Sequence, residues 1–166
     1  MKKLLLSATV LLSCCLSAFS QGLNEDFSAG ALPAGWTQTS VSGDSWFFGG
    51  GVDFGSTSTI NDPSGNAGEY ARIDFSNDPD TTALVTPVVD ISGMTTPELT
   101  FYYISQTTST AFTPYNRLIV DYWNGTGWTN IMVIDTLTTL GWTQYTVDVS
   151  TYTFNVSDVQ FRFSAQ

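Results

Sequence analysis

Residues 145–150 and 159–164 alternate with a period of two. Tyr145, Val147 and Val149 are separated by Thr146, Asp148 and Ser150, and Val159, Phe161 and Phe163 by Gln160, Arg162 and Ser164. In an extended strand successive side chains point to opposite faces, so each segment has one dry face and one wet face. A dry sheet face has to be covered, and the simplest cover is a second sheet. The expected fold class is therefore all-β: an antiparallel, jelly-roll-like β-sandwich.

Other segments agree. In residues 70–75 one face is Ala71, Ile73 and Phe75. Residues 99–104 are apolar on nearly both faces, as in a strand central to a sandwich. Leu118, Val120 and Tyr122 alternate with Ile119, Asp121 and Trp123, and Asn124-Gly125-Thr126-Gly127 predicts a hairpin turn into residues 128–134. Residues 49–59 and 107–113 read as polar, Gly- or Thr-rich loops, and no amphipathic helix, internal repeat or linker stands out. The sequence stops at Gln166 just as a strong strand ends, which predicts that a last pairing partner is absent or that the sequence is a fragment.

The first twenty residues read as a signal peptide. Lys2 and Lys3 precede an apolar run over residues 4–12, and Ala18-Phe19-Ser20 is a small-x-small cleavage site before Gln21. Leu11-Leu12-Ser13-Cys14 also fits a lipobox, but Leu12 and the downstream site favour cleavage. The mature chain, residues 21–166, is then one exported domain, secreted or on the cell surface. Both cysteines, Cys14 and Cys15, leave with the signal, so the domain coheres by packing without disulfides. Removing Lys2 and Lys3 leaves three arginines against fifteen acids, a net charge near −12. Such a surface repels phosphate backbones and anionic lipid heads, so neither nucleic acid nor a membrane surface is an expected partner. The chain has no histidine, which removes imidazole bases and His-ligated metals and leaves carboxylates as the chemistry open to an enzyme.

These segments carry a family resemblance. Glu25-Asp26-Phe27, Leu32-Pro33-Ala34-Gly35-Trp36 and Gly43-Asp44-Ser45-Trp46 resemble the opening of the cleaved-adhesin domains of gingipain-type proteins and their choice-of-anchor J relatives, which are secreted, Bacteroidetes-like domains. Asp62-Pro63-Ser64-Gly65-Asn66 with Gly68-Glu69-Tyr70 is similar to a stretch of the related MAM jelly roll. Residues 84–92, 99–103, 142–150 and 159–163 match successive strand motifs, so the resemblance covers nearly all of the mature chain. Two departures stand out. Animal MAM domains carry cysteines that the mature chain lacks, and both families close with an acidic strand that would follow residue 166.

The resemblance implies a non-catalytic adhesion or interaction module that contacts an extracellular protein or glycan. It also implies a structural calcium ion held by Glu25, Asp44 and Asn66, with Asp62 as a further ligand. The chemistry suits calcium, which takes six to eight oxygens from flexible loops. The competing expectation is that these are solvated acids and turn residues bonding their own backbone. Trp36 and Trp46 are expected to cap the core. Trp123, Trp128 and Trp142 are the candidates for ligand contact, since exposed rings could stack on sugars. A carbohydrate-binding module accessory to a secreted hydrolase is accordingly the alternative function. Asp74, Asp78 and Asp80 could in principle serve a glycosidase, but they read as an exposed turn.

Overall fold

Alternation becomes strand wherever a dry face finds cover. The computed structural model describes residues 22–39, 45–50, 60–65, 68–73, 81–105, 117–135, 141–152 and 157–166. Residues 1–21, Asp44, Asn66 and the acidic run at 74–80 lie outside them. Among the described residues nine strands follow in order: β1 Thr37–Thr39, β2 Phe47–Phe48, β3 Ala71–Arg72, β4 Thr82–Val85, β5 Glu98–Tyr103, β6 Leu118–Trp123, β7 Trp128–Ile134, β8 Thr143–Asp148 and β9 Gln160–Ala165. There is no helix among the described residues. The architecture is the expected all-β antiparallel sandwich.

One layer is a five-stranded sheet in the order β1-β4-β9-β6-β7. Among the described residues the facing layer is made of two pairs, β2-β3 and β5-β8. β9 is central to the first sheet, with Phe163 opposite Leu84 on one side and Val120 on the other. The alternation fixes which residues go inward. Val120, Tyr122 and Val159 are fully buried, and Phe161 lies beside them. Phe101 of β5 stacks on its cross-strand partner Tyr145 at 5.7 Å and meets Phe163 edge-on at 5.3 Å, which ties the layers together. Each such ring pair contributes about 0.5–1.5 kcal/mol beyond its area burial.

The predicted hairpin forms. Asn124 Oδ1 accepts hydrogen bonds from Thr126 N, Thr126 Oγ1 and Gly127 N, and Gly125 takes φ 90°. Glycine reaches that φ without the steric cost of a Cβ. A bulge follows: Val120 pairs with Met132 but Asp121 pairs with Asn130, so Ile131 is the extra residue on β7. Asp121 lies on the polar side of β6 yet is buried. Arg162 donates to its Oδ2 from Nε at 2.9 Å and Nη2 at 2.7 Å, and Asn130 donates to Oδ1 at 3.2 Å.

β5 departs from the sequence reading. Residues 99–104 predict a central strand, yet among the described residues β5 pairs with β8 alone. Its burial alternates along the strand, with Glu98, Thr100 and Tyr102 outside. Aromatic content made the outer face look dry, and Tyr102 is 49% exposed.

One local device occurs three times among the described residues and was not singled out from the sequence. In Asp26-Phe27-Ser28, Asp90-Ile91-Ser92 and Asp148-Val149-Ser150 the aspartate Oδ1 accepts the serine N–H two residues on, at 2.9, 2.9 and 2.8 Å. Such a turn reverses the chain while its middle residue points inward. Ile91 and Val149 are core residues, 7% and 1% exposed. The hydrogen bonds favour the ionised acids. Asp26 is held below the usual carboxylate range mainly by the Ser28 N–H, and Asp90 and Asp148 mainly by the hydroxyls of Ser92 and Ser150. A depressed folded pKa contributes stability that is present above the unfolded value and lost as pH falls through the folded one. Denaturation midpoints should therefore fall on acidification below about pH 4. An Asp90→Asn, Asp148→Asn chain should lose less than the parent over the same interval, and an equal loss would remove these turns as a source of the acid sensitivity.

Candidate functional site

Three of the predicted site residues, Glu25, Asp62 and Trp142, line one cavity of about 790 Å³ between the layers. Its wall includes Glu25, Asp26, Asp62 and Glu69 beside Trp46, Tyr70 and Trp142.

The N-terminal acids are placed by a tight turn. Glu25 Oε1 accepts the Phe27 N–H at 2.7 Å, and Gly30 N donates to Phe27 O at 3.0 Å. Phe27 has φ 58°, a left-handed conformation uncommon for a non-glycine residue. Its ring is held by Trp36 at 5.4 Å and Phe48 at 5.7 Å. The next bend closes with Trp36 N donating to Pro33 O at 3.1 Å, and Gly35 takes the positive φ of 80° that a type II turn requires. Trp36 is buried, as expected for a core cap. Trp46 is half-buried, with Nε1 3.4 Å from Thr82 O.

Asp62 starts a second turn, with Gly65 N donating to its carbonyl at 2.9 Å. Gly68 leaves no room for a side chain, because a Cβ there would run into the Asp62 carboxylate. Gly30 does the same for Glu69: a Cβ would sit 2.6 Å from Glu69 Oε2. That oxygen is buried and has no hydrogen-bond partner among the described residues. Sequence reasoning missed Glu69 as a site residue. The available signal was its place between Gly68 and Tyr70, a glycine that admits a carboxylate and a buried ring that anchors it.

Two of the four expected calcium ligands, Glu25 and Asp62, are thus on one cavity wall, while Asp44 and Asn66 fall outside the described residues. Among the described residues no three acids form a metal-binding group. The donor set on the wall is of hard oxygens, the type calcium takes.

The three candidate ligand tryptophans separate. Trp123 and Trp128 are cross-strand partners at the β6–β7 hairpin, with rings 5.4 Å apart, and the Arg162 guanidinium covers Trp128 at 4.5 Å. Trp142 is on the cavity wall, packs edge-on against Tyr70 at 5.3 Å and donates from Nε1 to Asn61 O at 2.7 Å. Trp142 therefore fastens the 60–65 turn to the start of β8. The arginines also divide. Arg162 pairs with Asp121, whereas Arg72 stacks on Phe47 at 5.2 Å and its buried Nε lacks a hydrogen-bond partner among the described residues.

No protein-family model matches the chain, and no curated protein matches it at a meaningful level of similarity. Among the described residues no helix is long and apolar enough to cross a membrane.

The packing of Glu69 against Gly30 sets up a direct test. Gly30→Ala introduces both a side chain at φ 62° and a clash with the carboxylate. It should destabilise the protein by about 1–3 kcal/mol in urea unfolding. An unchanged midpoint would show that Glu69 does not lie against this turn.

Proposed function

We propose that the chain is a non-catalytic adhesion or interaction module of an exported protein, of the MAM-like, cleaved-adhesin kind. It binds an extracellular protein or glycan and is braced by a calcium ion at Glu25, Asp44, Asp62 and Asn66. The observation that carries this reading is the cavity itself. Its wall is mostly apolar, it reaches across the layers, and carboxylates from two separate turns sit on it. Pockets that bind ligands have this character, an apolar lining with a few fixed polar groups.

The calcium part rests on the resemblance and on the placing of Glu25 and Asp62. Glu69 adds a carboxylate oxygen in need of a partner on the same wall. A bound ion would tie the N-terminal turn to the 62–65 turn and neutralise acids in a chain of net charge −10.

The carbohydrate-binding alternative asks the tryptophans to offer free ring faces. Arg162 already covers Trp128, and Trp142 is engaged with Tyr70 and Asn61. These contacts favour a structural role for those rings.

Calcium should raise the thermal midpoint and EDTA should lower it. With saturation at about a hundredfold over a sub-millimolar Kd, the expected stabilisation is about 2.7 kcal/mol. An identical melt in calcium and in EDTA would remove the ion. A glycan array read beside a panel of immobilised extracellular proteins tests the function. Binding to one class at micromolar affinity is expected, and turnover of chromogenic glycosides would overturn the non-catalytic reading.

A further inference from the structure

The register shows which backbone groups the second layer leaves over. In an antiparallel pair a residue's N–H and C=O point to the same side, and the side alternates along the strand. Val149 N donates to Pro97 O at 3.0 Å, and in the same register Leu99, Phe101 and Tyr103 face β8. Glu98, Thr100 and Tyr102 therefore turn their N–H and C=O groups away from it. Across the layer, Gly49 N donates to Tyr70 O at 3.3 Å, so Tyr70 and Arg72 face β2. Ala71 and Ile73 face away.

The cavity lies against both of these edges. Every residue of Glu98–Tyr103 lines it, and so does every residue from 70 to 73. A void beneath a sheet touches alternate residues, because alternate side chains point down. A void that touches consecutive residues reaches the strand's backbone as well as the face beneath it. Phe161, Phe163 and Leu84 of the five-stranded sheet also line it and supply an apolar floor. With a rise of ~3.3 Å, a strand spacing of ~4.8 Å and a layer depth of ~10 Å, one strand residue occupies roughly 160 Å³. A cavity of about 790 Å³ then corresponds to about five residues of one strand.

We propose that this slot docks one extended strand of a partner polypeptide, which hydrogen-bonds to β3 and β5 and joins the two pairs into one five-stranded sheet, β2-β3-partner-β5-β8. The proposal deepens the interaction-module reading by naming the mode of capture, strand addition at edges that have no neighbouring strand among the described residues. The slot also specifies the partner. At least five residues are needed, with apolar side chains at alternate positions to meet the aromatic floor and polar ones between them. Arg72 Nε and Glu69 Oε2, both buried without a hydrogen-bond partner among the described residues, set the complementary groups. A carboxylate of the strand suits Arg72, and a donor suits Glu69.

Amide hydrogen exchange by NMR on the processed chain tests this, alone and with peptide. In the free protein Leu99, Phe101 and Tyr103 should exchange slowly, and Glu98, Thr100, Tyr102 and Ala71 fast. A blocked heptapeptide with isoleucine or valine at alternate positions, and threonine or aspartate between them, should slow Thr100, Tyr102 and Ala71 at least about tenfold. Its isomer with the apolar residues contiguous should not. Thr100→Pro removes one slot-facing N–H and should weaken the peptide at least about tenfold, with Leu99, Phe101 and Tyr103 still protected as the check that the β5–β8 ladder persists. Three results with the protein and the test peptide would overturn the proposal. One is slow exchange of Thr100 and Tyr102 in the free protein, which would mean that the slot is already filled. Another is protection that grows with protein concentration alone, which would mean that a second copy fills it. The third is no protection by the alternating peptide at about 1 mM. Partner binding elsewhere, with slot amides unchanged, would end this proposal and leave the interaction reading standing. Slot protection in a chain that binds no extracellular partner would do the reverse.

Discussion

The contact of Phe101 with Tyr145 and Phe163 holds the two layers to one another. Phe163 comes from the central strand of the five-stranded sheet, and Phe101 and Tyr145 from the β5–β8 pair. Residues 16–166 contain no cysteine, so no disulfide supplements this packing. Leu99, Ile131, Met132 and Phe163 pack against both buried clusters, the one around Tyr122 and Val159 and the one around Val120. The bulge at Ile131 allows it and Met132, neighbours in sequence, both to face the core. Cohesion is thus concentrated where the layers meet, and the turns are arranged around that line.

The turns show how a chain rich in aspartate, serine and glycine serves such a core. Each Asp-x-Ser turn satisfies its own backbone, so the chain can reverse without a neighbouring strand to bond to. The residue between is then free to point inward, as Ile91 and Val149 do. On the cavity side, Gly30 and Gly68 do something different. They leave out a side chain so that Glu69 and Asp62 can pack against the main chain. Carboxylates held in that way keep their oxygens at one end of the sandwich, which is why the interaction reading and the ion reading meet there.

Much of the fold was legible in the residues. Alternation at Tyr145–Val149 and Val159–Phe163 has one meaning in a chain without helical periodicity, and the Asn124–Gly127 turn is set by local chemistry. The site was less legible. Glu25 and Asp62 are distant in sequence, and only the fold brings both to one cavity. Glu69 was invisible because its role depends on Gly30, nearly forty positions away. The tryptophans could not be told apart in the sequence for the same reason. Trp142 is tied to Asn61 and Tyr70, whereas Trp123 and Trp128 pair across a hairpin, and no local pattern separates these cases. β5 was read as central from its aromatic content, which reports what can be buried and says nothing of which edges are paired.

The claim beneath all of this is that two β-layers cohere through ring contacts without disulfide support. A double-mutant cycle of Phe101→Leu and Phe163→Leu measures that contact directly. The account predicts a coupling energy of about 0.5–1.5 kcal/mol between the two positions in urea unfolding. Strict additivity, with both single variants folded, would mean that these rings do not meet and that the layers are not packed as described.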